Sequence, residues 1–401
     1  MSDFLWLFAI VTCVTAFIGW VTNWAAVKMI FHPEKFLGLG PLGWQAIIVR
    51  RGDKFATGVA DMVTQNLITA EELAGRFDPD ELQSVFSDTL DDELPKMCRE
   101  AASVIQPGAW ENLPEHVKEM ALGQVKVQSR ALGDAIFARL RALVPELLDL
   151  HALVFRQLSG KNVQRLSRLT WEIGHKEFRF IELSGGVFGF IIGLAQIAIW
   201  GLMQTWWLMP IVGAIVGLGT NWLAIQMIFR PQEPRRYLGF RYQGLFPKRQ
   251  ADISRDYGKV SAREILTARV FLDVLTTGEA GERVRAVVAE TVSAHLKTEW
   301  EKVAPMIPIA VSADKLDEIA GLIVARIGAS AARIQPEIET YVEAKLEVAH
   351  TVESRLAALP KADFERVLRG VFEEDEITLV LVGGFLGLAV GILQAVLALA
   401  M

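Results

Sequence analysis

The chain alternates between stretches with no charged side chain and longer stretches in which apolar residues recur at helical spacing among charges. Three stretches carry no charge at all: Phe4 to Val27, Leu183 to Phe229 and Ile377 to Met401, of 24, 47 and 25 residues. At ~1.5 Å per residue the central stretch would make a helix ~70 Å long, more than twice the ~30 Å hydrocarbon core of a bilayer. It therefore predicts two spans joined by a tight turn. The turn is expected at Gly201-Leu202-Met203-Gln204-Thr205, flanked by Trp200, Trp206 and Trp207, because indole rings settle at the headgroup level. Each outer stretch is long enough for one span, giving four: residues 4–31, 181–200, 206–229 and 377–400.

The polar segments between them, 32–180 and 230–376, read as helical arms. Asp78-Pro79-Asp80-Glu81 supplies a cap residue, a proline at the first helical position and an early acid, which together start a helix. Leu132, Ile136, Leu140, Leu143 and Leu147 form one apolar stripe, and Leu316, Ile319, Ile323 and Ile327 form another, as helices buried against sibling helices require. Breaks are expected at Pro107, Pro114, Pro145, Pro305, Pro308 and Pro336. No run of alternating strands is visible, and Leu37 to Gly43 reads as a glycine-rich connector. The fold class expected is an all-α integral membrane protein.

The chain also repeats itself. Gly19-Trp-Val-Thr-Asn-Trp-Ala-Ala-Val-Lys-Met-Ile-Phe-His-Pro33 returns as Gly217-Leu-Gly-Thr-Asn-Trp-Leu-Ala-Ile-Gln-Met-Ile-Phe-Arg-Pro231, identical at 9 of 15 positions and offset by 198 residues. The segment starting at Gly185 returns at Gly383 with the same offset, so one unit was copied whole. The domains expected are repeat 1 at 1–200 and repeat 2 at 201–401, each a span, an arm and a returning span. A unit with two spans enters the membrane the same way in both copies, so the repeats are parallel, unlike the inverted repeats common in secondary transporters. Lys and Arg crowd the arm side of the span ends, whereas the termini and the central turn have none. The positive-inside rule then places the arms in the cytoplasm and both termini outside.

Composition narrows the chemistry. A formal charge of −6 argues against nucleic acid as a partner. Two cysteines, Cys13 and Cys98, suggest neither a disulfide framework nor a thiolate metal site, and the six histidines form no ligand pattern. No nucleophile, metal set or phosphate loop stands out, so no catalytic residue and no cofactor is expected. Nothing basic precedes Phe4, so the first stretch reads as a retained span and not as a secretory signal.

The candidate residues fall into three groups. Thr22, Asn23, Thr220, Asn221, Gln196 and Gln394 are polar residues in or near hydrocarbon, either glue between helices or the lining of a pathway. Gly185, Gly189 and Gly193, with Gly383, Gly387 and Gly391, repeat at four-residue spacing and predict close helix packing. Arg50, Arg51, Arg235, Arg236, Lys248 and Arg249 lie where each would gain attraction to an anionic leaflet, and are candidate lipid-headgroup contacts. The acids before the second and fourth spans, Glu177 and the run Glu373 to Glu376, read as a solvated face.

Two segments carry a family resemblance: the repeated Gly-x-x-Thr-Asn-Trp-x-Ala-x-x-Met-Ile-Phe-x-Pro, and Glu177-Phe-Arg-Phe-Ile-Glu-Leu-Ser-Gly-Gly-Val-Phe-Gly-Phe-Ile-Ile-Gly-Leu-Ala-Gln196. In them the chain resembles the bacterial membrane-protein family known as domain of unknown function 445, which includes the YheB-type proteins. The resemblance spans essentially the whole chain and implies a bacterial inner-membrane protein with helical soluble parts. It brings no catalytic residue. The first copy departs from the family's Gln243-Gly-Leu-Phe-Pro-Lys-Arg249 form, reading Gln45-Ala-Ile-Ile-Val-Arg-Arg51. The function expected is a non-enzymatic envelope scaffold, homo-oligomeric through its glycine seams, bound to membrane lipids and offering its arms to a protein partner. The alternative is a transport or lipid-handling protein with a polar pathway through the four-helix bundle.

Overall fold

The computed structural model describes residues 2–39, 42–203, 207–237, 239–306, 311–370 and 373–400. Four of its helices are long and apolar enough to cross a membrane: Thr12–Phe31, Gly160–Ala195, Leu208–Phe229 and Glu376–Val396. The chain divides into two compact units, and each draws residues from both halves of the sequence.

The first unit comprises Met1–Leu67, Val154–Glu264 and Ala349–Met401 and contains all four spans. The helix Ser2–Phe31 packs along Val163–Met203, and Leu208–Phe229 packs along Glu373–Ala400. Their outer faces carry Phe17, Val187, Ile191, Ile215, Leu381 and Phe385, all exposed, which inverts the usual polar surface of a folded protein. The first and third spans end at Phe31 and Phe229, two residues before Pro33 and Pro231, where the missing N–H cannot continue the helix.

Past each proline the chain forms a short antiparallel hairpin, the first of them where a plain connector was expected at Leu37 to Gly43. Strand β1 (Leu37–Leu39) pairs with β2 (Leu42–Trp44), and β3 (Arg235–Tyr237) pairs with β4 (Phe240–Tyr242). Each hairpin is held at its base, by Ala46 N–H to Pro33 O and Gly244 N–H to Pro231 O, both at 2.9 Å. After the hairpins, helices Gly52–Met62 and Gln250–Val260 each run into a single π-helical turn, Val63–Leu67 and Ser261–Ile265. An arginine from the other half of the sequence meets a carbonyl of each turn. Arg355 donates to Leu67 O at 2.7 Å, and Arg165 donates to Glu264 O at 3.0 Å. Ile47, Ile48, Ile253, Leu356 and Phe364 are fully buried in this unit.

The second unit, Ile68–Leu153 and Ile265–Val348, is a bundle of two long helical hairpins. Helix Pro79–Ile105 packs against Glu115–Leu147 and against Ala313–Arg333; Gly278–Val303 packs against Glu115–Leu147 and Ala313–Arg333. Asp78 caps the first of these as expected, its side chain accepting from Asp80 N–H at 2.9 Å and Glu81 N–H at 3.2 Å. Both apolar stripes turn inward, with Leu143, Leu316 and Ile319 buried. Pro145, expected to break the chain, lies within its helix, which ends two residues later at Leu147. The missing N–H of a proline so near the helix end costs a single bond, to the carbonyl four residues back, and leaves only half a turn to be displaced.

The span expected at 181–200 is the C-terminal part of one helix that runs unbroken from Val163 to Met203. That helix extends beyond the expected start of the turn at Gly201, and the next begins at Leu208. Gln204, Thr205 and Trp206, like the side chain of Trp200, lie outside the described residues.

Candidate functional site in the helix seams

The first and second spans meet along glycine. A methyl group on Gly185 would overlap the carbonyl of Gly19 and the side chain of Asn23, and one on Gly189 would lie 2.5 Å from Thr15 O. Gly193 faces Thr12 Cα, which a methyl would approach to 3.1 Å. In the other pair Gly383 faces Gly217 and Asn221, Gly387 faces Gly213, and Gly391 faces Met209 and Pro210. Backbones approach this closely only where side chains are absent, and in lipid such packing replaces the missing hydrophobic drive. Both seams are closed within the chain, so the glycines expected to join one copy to another instead pack two spans of the same chain.

The asparagines lie in these seams. Asn23 is fully buried, and its Nδ2 donates to Ile181 O at 2.7 Å. Asn221 is buried to 3% exposure and donates to Leu379 O at 2.8 Å, across the same separation of 158 residues. Each bond ties one span to its neighbour. Thr22 and Thr220 turn back on their own helices, to Gly19 O at 3.0 Å and Gly217 O at 3.5 Å. The amide oxygens Oδ1 of Asn23 and Asn221 are buried without a hydrogen-bond partner among the described residues. Gln394 is half-buried; the Gln196 side chain lies outside the described residues.

The basic residues separate into different roles. Arg249 is largely buried and forms an ion pair with Glu177, which is 1% exposed. Glu177 therefore does not lie on a solvated face, and Arg249 is held inside the protein instead of facing headgroups. The signal for this was the spacing: Ile173, Glu177 and Ser184 recur on one buried helix face. The second carboxylate oxygen, Oε2, is buried with no partner among the described residues. Glu177 borders a cavity of about 50 Å³ whose walls include Ile30, Ile181, Ile225, Phe229 and Glu376. Arg50 lies 5.9 Å from the ring of Trp44, near enough for a cation–π contact. Arg51 stands between the short helix Ile47–Arg50 and the helix from Gly52, and is half-buried. Arg235, Arg236 and Lys248 are exposed. Among the described residues no group of three or more His, Cys, Asp or Glu side chains could hold a metal ion.

A family model described as Protein of unknown function (DUF445) matches residues 13–144 and 211–329. This chain belongs to the DUF445 family. The DUF445 chain is also similar, over 99% of its length and 98% of the relative's, to a UPF0754 membrane protein of Microcystis aeruginosa, at 23% identity. A UPF0754 membrane protein of Synechococcus elongatus is 29% identical over 176 residues, 43% of this chain and 42% of its own. One from Bacillus velezensis is 39% identical over 70 residues, 17% of this chain and 19% of its own. Some matches are thus local: the chain spans 23% or less of the Staphylococcus epidermidis and Bacillus velezensis relatives it matches. No solved structure matches the DUF445 chain significantly. With four apolar helices and relatives named as membrane proteins, it is a membrane protein.

Proposed function

We propose that the protein is a non-enzymatic scaffold of the bacterial inner-membrane envelope. In this reading two parallel repeats supply four spans, the helical arms stand in the cytoplasm and both termini lie outside. The arms recruit a protein partner, and further copies associate through the outer faces of the spans. The observation that carries it is the bonding of the asparagines. Asn23 and Asn221, the sharpest polar residues of the spans, each have the amide nitrogen engaged by a neighbouring helix backbone, at 2.7 and 2.8 Å. That is the arrangement of helix glue.

One observation favours the alternative of transport or lipid handling. The Oδ1 atoms of the same two asparagines are buried without partners among the described residues, leaving an acceptor on each for a passing solute.

Purification of the full chain in native nanodiscs, with mass spectrometry of what stays bound, separates the two. For a scaffold, the Asn23→Leu and Asn221→Leu double variant loses stability or assembly, and protein partners are the bound species. A stoichiometric small solute that the double variant loses while its assembly stays intact would move the assignment to transport.

A further inference from the structure

A groove of about 790 Å³ opens where the third span ends, bordered by Leu223, Gln226, Met227, Arg230, Arg235 and Tyr242. Its position is set by the β3–β4 hairpin. Arg235 and Tyr242 are directly opposed across the two strands, so both side chains leave the same face. Tyr242 donates its hydroxyl to Met227 O and so draws that face back over the end of the span. Burial pushes the Tyr242 phenol, already a neutral donor at ordinary pH, up to about 12.

The charges in the groove do not cancel. Glu233 pairs with Lys361 at 3.2 Å, and Glu365 receives both Arg230, at 3.6 Å, and the amide of Gln232. Arg230 is still 61% exposed. Arg235 is exposed and has no acidic partner among the described residues. Two guanidinium groups therefore face the opening, and guanidinium matches phosphate geometry with paired N–H groups. The rest of the wall sets Leu223, Met227 and Pro231 beside Gln226, Gln232 and Glu233, and on the span side Leu223 is 37% exposed next to Trp222 at 56%.

The corresponding place in the first half differs. Leu37 stands where Arg235 does, and Glu34 where Gln232 does. The groove there, about 530 Å³, sets Lys28 and Arg168 against Glu34, Glu172 and Glu182. Its acids offset its bases.

We propose that the groove beside the third span holds one anionic phospholipid per chain, with the phosphate on Arg230 and Arg235 and the acyl chains along Leu223 and Met227. The assignment rests on the spans lying in a bilayer and is independent of the scaffold reading.

The test is native mass spectrometry of the full chain in mild detergent, titrated with phosphatidylglycerol or with phosphatidylcholine of the same acyl chains. One phosphatidylglycerol is expected to stay bound, about fivefold more weakly in Arg235→Gln, the factor for one basic residue near an anionic headgroup. Arg236→Gln, next along the strand and on the opposite face, is expected to bind as the parent does. Melting of both variants with the parent's midpoint establishes that they fold. Equal retention of phosphatidylcholine, equal weakening by the two substitutions, or release of the lipid by millimolar inorganic phosphate would each overturn the proposal.

Discussion

The side-chain amide of Asn23 donates to the main-chain carbonyl of Ile181 at 2.7 Å, joining two helices that are far apart in sequence. A helical carbonyl already accepts from the turn above it, so this bond is a second one on the same oxygen. It needs the flat seam that Gly185 provides, since Asn23 lies directly on that glycine. Polar residue and glycine form one device, and the other half repeats it with Asn221, Leu379 and Gly383.

Replacing Asn23 by Leu is expected to lower the stability of the first seam by ~1 kcal/mol, the size of an interhelical hydrogen bond in a bilayer. Steric trapping or thermal unfolding in bicelles measures this. Asn221→Leu should give a similar loss, and the two should add, because each bond lies in its own helix pair. A double variant as stable as the parent would show that neither bond contributes.

Side chains added to the seam should cost more than the lost hydrogen bond. Gly189→Leu and Gly387→Leu both push bulk against a facing backbone, at Thr15 and Gly213 respectively. Each is expected to destabilise by at least ~1–3 kcal/mol, the usual range for overpacking, because backbone cannot step aside as a side chain can. Gly219→Leu is the control, since a methyl there meets nothing within 4 Å. Unfolding midpoints in one detergent compare the three.

The buried pair Glu177 and Arg249 yields a sharper contrast. Arg249→Met leaves a carboxylate buried without its cation and is expected to cost ~3–5 kcal/mol. Glu177→Leu combined with Arg249→Met removes both charges and should recover most of that loss. A double-mutant cycle in denaturant reads the coupling. Equal damage from the single and double variants would mean that side-chain packing, and not charge, holds this region together.

Acid should weaken the second unit through three carboxylates held below their ordinary range. Glu93 is lowered by hydrogen bonds from Lys96 at 2.9 Å and Arg333 at 3.1 Å, against the opposing effect of burial. Asp317 is lowered by Lys297 and Ser293, and Glu339 by Gln335 and then Arg269. A group depressed in the folded state contributes its stability above the unfolded value and loses it as pH falls through the folded one. Stability of this unit should therefore decline as pH drops below 4.5, the ordinary value for Glu93 and Glu339. Glu93→Gln should flatten that decline in a pH series of melting curves.

The sequence made legible what depends on neighbours along the chain. The spans, the glycine seams and the cap at Asp78 are all set by local spacing, and the structure has each. What it hid are pairings between distant segments. Glu177 and Arg249 are 72 residues apart, and Arg355 reaches a carbonyl 288 residues away. Read locally, Glu177 is one acid among several near a span end, and only its shared face with Ile173 and Ser184 marks it as buried. The hairpins were missed because strands of three residues, Leu37–Leu39 and Leu42–Trp44, are too short for alternation to show. Among the site residues the asparagines could be picked out as polar residues in apolar helices. Which of the basic residues face outward could not, because Arg235 and Arg249 differ only in what the fold brings beside them.

The unbroken helix from Val163 to Met203 has a mechanical consequence. At 41 residues it is ~60 Å long, and no proline interrupts it. The same rod that Arg165 fastens to the carbonyl of Glu264 therefore carries Gly185 and Gly189, where the neighbouring helix rests on bare backbone. The anchorage at one end and the seam at the other share a single hydrogen-bond ladder.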